Sequence, residues 1–218
     1  SAIPVLIEPE SRLLFAGTTS AKGADLLMTW IHDTLGLVPA QLEPGEMAAR
    51  LARIEPDRLP AISFAPDGKA PLSQPGRDFL TWLWFHAETD DGEVATEADG
   101  TFTVAVDGPL TLAYADDAPG AAETTVRKGV PMRSAEAKAA LAVGKKLRRA
   151  RLLVARGNET WAMTMDADRF AFGGFAVPEG ENLDPGAAFE EKVRALRTFV
   201  TMLEAAFALF VERFNGAK

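Results

Sequence analysis

The sequence contains no cysteine, only two histidines and a single tyrosine among its 218 residues. Without thiols there can be no disulfide, no thiolate zinc site and no cysteine nucleophile. His32 and His86 have no metal-ligand or triad spacing around them and read as structural or surface residues. No run reaches the ~18 apolar residues that span a bilayer. The apolar stretch Ile3–Ile7 has no cationic flank and is broken by Pro4, so it is not a targeting segment, and a chain opening Ser1-Ala2 reads as lacking its natural beginning. Gly17-Thr18-Thr19-Ser20-Ala21-Lys22-Gly23 follows a strand candidate but fails the order G-x-x-x-x-G-K-[ST] of a phosphate loop. The acidic clusters Asp90-Asp91-Glu93 and Asp116-Asp117 lie in glycine-bearing turns, where carboxylates serve turn chemistry, and Asn158-Glu159-Thr160 reads as a hairpin turn. No metal or cofactor and no enzymatic activity are expected, and the compartment is expected to be the cytoplasm.

What is present is an ordinary globular balance, 47% apolar and 25% charged, with a net charge of −8. An acidic average disfavours nucleic acid, whose binding is driven by lysine and arginine displacing counterions. The average hides a segregation. Residues 127–156 hold ten basic side chains against one acid, Glu136, which makes that window +9 and the remainder −17. Arginine and lysine together suit phosphate. The competing reading is a solvated helix–strand edge whose cations discourage sheet pairing.

Arg12–Ala16 reads as a strand, Ser20 as the cap of a helix to about Leu35 with Gly36 as its stop, and Leu37–Leu42 as a second strand, together a β-α-β unit over 1–54 with a further short helix from Pro44. Residues 55–76 hold five prolines and read as a linker or long loop. The aromatic stretch from Asp78 to Glu88 is a helix candidate, with strand as its rival, and suits burial better than an open base-stacking platform. Thr101–Val106 and Leu110–Tyr114 read as a hairpin turning at Asp107-Gly108-Pro109, followed by a strand over Glu123–Lys128. Ser134 caps an alanine-rich helix running through Lys146. Arg149–Ala155, Thr160–Met165 and Phe170–Val177 alternate as a three-strand meander, in which Ala150, Leu152 and Val154 share one face and Arg149 and Arg151 the other. After Pro185, residues Phe189, Val193, Leu196, Val200, Leu203, Phe207, Phe210 and Phe214 form an unbroken heptad seam on a helix to Gly216. Its distal phenylalanines Phe207, Phe210 and Phe214 are the expected dimer contact, because aromatic anchors favour interface centres, with burial in the core as the alternative. The expected class is α+β: antiparallel sheets over 77–184, packed helices, and a long amphipathic C-terminal helix over 185–218.

Three stretches carry a family likeness: SRLLFAGTTSAKGADLLMTWIHDTLGLVPAQLE at Ser11–Glu43, FLTWLWF at Phe79–Phe85, and Val126–Val177, where a basic segment, a helix ending in GKKL and the strands RLLVARGNETWAMTM follow in order. In these the chain resembles the recombination-associated protein RdgC family. The resemblance implies a non-enzymatic, nucleoid-associated protein that dimerises into a ring around double-stranded DNA, binds it without sequence preference and restrains RecA-promoted strand exchange. It implies a DNA-facing surface made of Arg127, Lys128, Arg133, Lys138, Lys145, Lys146, Arg148, Arg149 and Arg151. The family's N-terminal portion, which precedes the first strand, is expected to be missing from this sequence. A reading from another class is a protein-interaction module whose acidic surface docks a basic partner without touching DNA.

Overall fold

The computed structural model describes residues 2–55, 59–66, 68, 72–114, 122–127, 130, 133–178, 180 and 184–215. Lys128 and the Asp116-Asp117 cluster lie outside them. The chain divides into two compact units, Ser1–Leu42 and Glu43–Lys218.

In the smaller unit β1 (Val5–Glu8) and β2 (Leu13–Ala16) form an antiparallel hairpin with Val5 opposite Ala16 and Glu8 opposite Leu13. Helix α1 (Ala21–Leu35) follows, capped by the Ser20 side chain, which accepts from the Gly23 N–H, and closed by Gly36 in the left-handed region at φ 65°. The unit is therefore β-β-α, not the expected β-α-β. Leu37–Leu42 forms no strand: Leu37 and Val38 are exposed, and Pro39 has no N–H to give a ladder. The Ile3–Ile7 run supplies the partner strand instead, with Pro4 just outside it, where its missing N–H costs nothing.

The larger unit contains α2 (Pro44–Ala52), α3 (Pro75–Thr89), β3 (Glu93–Thr96), β4 (Gly100–Ala113), β5 (Glu123–Val126), α4 (Ala135–Ala142), β6 (Lys146–Arg156), β7 (Glu159–Asp166), β8 (Ala171–Ala176) and α5 (Pro185–Asn215). The α+β class expected from the sequence is the class observed. Helix α2 packs against α5 and so belongs here, although the sequence places it beside the first helix. Leu59 and Ile62 in the proline-rich stretch are buried and Phe64 stacks on Phe85, so its described part is a packed loop that adds to the core.

The sheet runs β3-β4-β6-β7-β8, all antiparallel, with β5 sharing the β3 side of β4. The expected hairpin at Asp107-Gly108-Pro109 is instead one continuous strand, β4, bent by register shifts between Asp107 and Leu112. Turn chemistry predicts a reversal there; pairing of both halves with β6 overrides it. The meander expected over 149–177 is present as β6, β7 and β8. Strand alternation buries Val104, Val106, Leu110, Leu112, Leu147, Ala150, Leu152, Val154, Trp161, Met163 and Met165 on one face. Against that face lie α3 and α5, whose rings interlock: Phe79 is 5.0 Å from Phe207 and 5.7 Å from Phe210, and Phe199 lies 5.3 Å from Phe172 and 4.9 Å from Phe175. The Trp161 indole donates to the Ala195 carbonyl at 3.0 Å, which ties β7 to α5.

Candidate nucleic-acid interface

Folding separates the basic window into three groups. Lys145 and Lys146 are each only 5% exposed, because the helix ends at Ala142 and both precede or begin a central strand. Lys146 Nζ lies 2.5 Å from a carboxylate oxygen of Asp78, itself fully buried at the head of α3. Asp78 also accepts from the Gln74 N–H at 3.0 Å. Burial pushes the Asp78 carboxyl up to about 6 against the pull of Lys146, the Gln74 N–H and Arg77. Lys145 donates to the Thr124 hydroxyl at 2.7 Å and lies over the Tyr114 ring. Arg148 is the extra residue of a bulge, since pairing passes from Thr111–Arg149 to Leu112–Leu147. Its guanidinium bonds Glu123 and lies 3.2 Å from Asp168. These three residues were expected to face DNA: Lys145 and Lys146 are internal ties that cannot reach a phosphate without undoing the core, and Arg148, with 39% of its side chain exposed, is engaged by Glu123 and Asp168.

A second group, one residue exposed and one half-buried, is balanced. Arg149 projects from β6 opposite Asp166, with 3.8 Å between their charged atoms, and Arg156 is held by Glu159 and Asp99. The third group, Arg127, Arg133, Lys138 and Arg151, is exposed and has no ion-pair partner among the described residues. Arg149 and Arg151 share the face of the sheet that no helix of this unit covers. Around them on that face stand Ala95, Thr101, Thr103, Ala105, Thr111, Leu153, Ala155, Thr160, Ala162 and Thr164, with Glu93, Asp107 and Asp166 as the facing acids.

No protein-family model and no curated protein matches the chain. The site therefore rests on its own geometry.

The expected dimer contact is displaced as well. Phe207 is fully buried and Phe210 is 3% exposed, both inside the chain's own aromatic core, while Phe214 packs on Phe210 at 5.2 Å. The sheet and α3 cover the seam at Leu203, Phe207 and Phe210, whereas Phe189 at its start is 61% exposed. Sequence reasoning missed Arg77 and Asp168, which form a two-point contact at 2.5 and 2.8 Å while Arg77 also donates to the Tyr114 carbonyl at 2.6 Å. One signal for the buried network was available: Arg77-Asp78 immediately precedes seven mostly apolar residues, and charges at the head of a buried helix require partners. Among the described residues, no group of three or more histidine, aspartate or glutamate side chains is placed to hold a metal ion, and no helix is long and apolar enough to cross a membrane.

Proposed function

We propose that the chain binds double-stranded DNA without sequence preference through Arg127, Arg133, Lys138, Arg149 and Arg151. The observation that carries this reading is the pair Arg149 and Arg151, standing ~7 Å apart along β6 on an uncovered face otherwise rich in threonine hydroxyls and alanines. Guanidinium groups and hydroxyls are the usual partners of phosphate oxygens, and small side chains let a duplex backbone approach closely. No cluster of side chains here is suited to reading base edges, so the contacts position the duplex and do not select it. The net charge of −8 opposes the approach, which makes binding weak and oriented. The resemblance to the RdgC family supports the same reading and extends it: a bound chain would limit the access of RecA to the duplex. Dimerisation, which the resemblance also implies, would need a surface other than Phe207 and Phe210.

The test is fluorescence anisotropy with a mixed-sequence duplex over a range of salt. Five phosphate contacts give a slope of log K against log salt of about −4 to −5. Arg149→Gln with Arg151→Gln should weaken binding at least about tenfold while leaving the chain folded. Retained affinity in that double variant, or no binding by the parent at low salt, sinks the proposal.

A further inference from the structure

We propose that the groove between β3 and α5 takes an extended basic peptide, which joins the sheet as an added strand. Among the described residues β3 pairs only with β4, which makes it an edge strand. A groove of about 480 Å³ runs between it and α5, lined by Ala95, Ala205, Ala208 and Leu209 and rimmed by Glu93 and Glu212. The two helix alanines leave the space into which alternate side chains of an incoming strand can descend.

The register identifies the free backbone. Gly92 accepts from the Val104 N–H at 2.8 Å, so the antiparallel alternation places Val94 and Thr96 in hydrogen-bonded pairs with Phe102 and Gly100. Ala95 then turns its N–H and C=O away from β4, toward the groove. The outward groups of Glu93 are already engaged, its carbonyl by His86 Nε2 at 2.8 Å and its N–H by the Asp90 carbonyl at 3.3 Å. The added strand would therefore bridge at Ala95. Gly92 fixes the start of this edge: its φ is +65°, and a Cβ there would lie 2.0 Å from the Val104 carbonyl oxygen.

Charge selects the occupant. Glu93, Glu97 just past the strand, and Glu212 are exposed and have no ion-pair partner among the described residues. A second copy pairing edge to edge would set these carboxylates against each other, and a nucleic acid would be repelled. A peptide alternating basic and apolar residues satisfies both the rim and the floor, in the manner of strand addition to other exposed sheet edges. This surface adjoins the arginine face at Glu93 and Thr101, but Ala208→Trp and Ala95→Pro change no residue proposed to contact DNA, so its fate does not depend on DNA binding.

The probe is a fluorescein-labelled peptide of alternating lysine and valine, titrated with the full chain by anisotropy. Saturable binding is expected, weakened at least about tenfold by each of three changes. Ala208→Trp fills the groove. Ala95→Pro removes the outward N–H at a position where an edge strand tolerates proline. Glu93→Lys with Glu212→Lys reverses the rim. Melting curves show that each variant is folded. No saturable binding by the parent overturns the proposal. So does undiminished binding by folded Ala208→Trp or Ala95→Pro, since that outcome means charge attraction without strand addition.

Discussion

Lys146→Met separates a structural lysine from a phosphate-binding one. In the folded chain Nζ sits 2.5 Å from the Asp78 carboxylate and has no second acceptor among the described residues. Removing the ammonium leaves Asp78 buried, with only the Gln74 N–H and the Arg77 charge to support it. Breaking one side of a buried pair costs about 3–5 kcal/mol, a large part of the ~5–15 kcal/mol that holds a domain together. For a chain of this size each kcal/mol moves the melting temperature by roughly 2–4 °C, so the expected drop is roughly 6–20 °C. Adding Asp78→Leu should recover most of the loss, because a well-packed apolar pair replaces a buried ion pair at little or no cost. Urea titration of parent, both single variants and the double gives the coupling energy directly. If Lys146→Met stays within about 0.5 kcal/mol of the parent, as surface substitutions do, and weakens DNA binding instead, then Lys146 is on the surface and the internal network described above is wrong.

Asp78 also gives stability a pH dependence of unusual sign. Its folded value of about 6 exceeds the ordinary 3.8, so between these values the folded chain holds a proton that the unfolded chain has released. That contribution is present in full below the lower value and is lost as pH rises through the upper one. It amounts to about 3 kcal/mol over the whole window and about 2 kcal/mol between pH ~4.5 and ~7.5. Asp90 and Glu136 are held low, mainly by hydrogen bonds to His86 and Ser134, and run the opposite way. The comparison is therefore parent against Asp78→Asn, and equal urea-midpoint shifts in the two chains over this range would rule the effect out. Phe207→Ala should destabilise by about 3–5 kcal/mol and Phe210→Asp should prevent folding. A folded Phe210→Asp chain of reduced mass by light scattering would restore these residues to an interface.

How much of this was legible depended on whether a pattern is local. The meander of β6, β7 and β8 and the full length of α5 followed from alternation and heptad spacing, because each signal lies within one element. The charge of residues 127–156 was equally plain, but a count along the chain is blind to two things. It does not see that Lys146, the first residue of β6, meets the head of α3, while Arg149, beyond the bulge, lies on the exposed face. Nor does it see the acids that folding delivers from elsewhere: Asp168 stands 91 residues from its partner Arg77, and Asp78 meets Lys146 from another element. The same limit explains Phe207 and Phe210, since a periodic seam states that something covers it and not what. At Gly108-Pro109 the local signal for a turn was strong, and sheet pairing on both sides overruled it.

The position of β4 bears on how the larger unit folds. The hairpin of β3 with β4 and the meander of β6, β7 and β8 each close through short turns, whereas β4 meets β6 only after β5 and α4 have been threaded between them. Long closures are entropically dear and slow to form. The expected rate-limiting step is the docking of two locally assembled ladders along the seam where Val104 faces Val154 and Val106 faces Leu152. Truncations there should slow refolding, while equally costly ones in β8 should chiefly hasten unfolding.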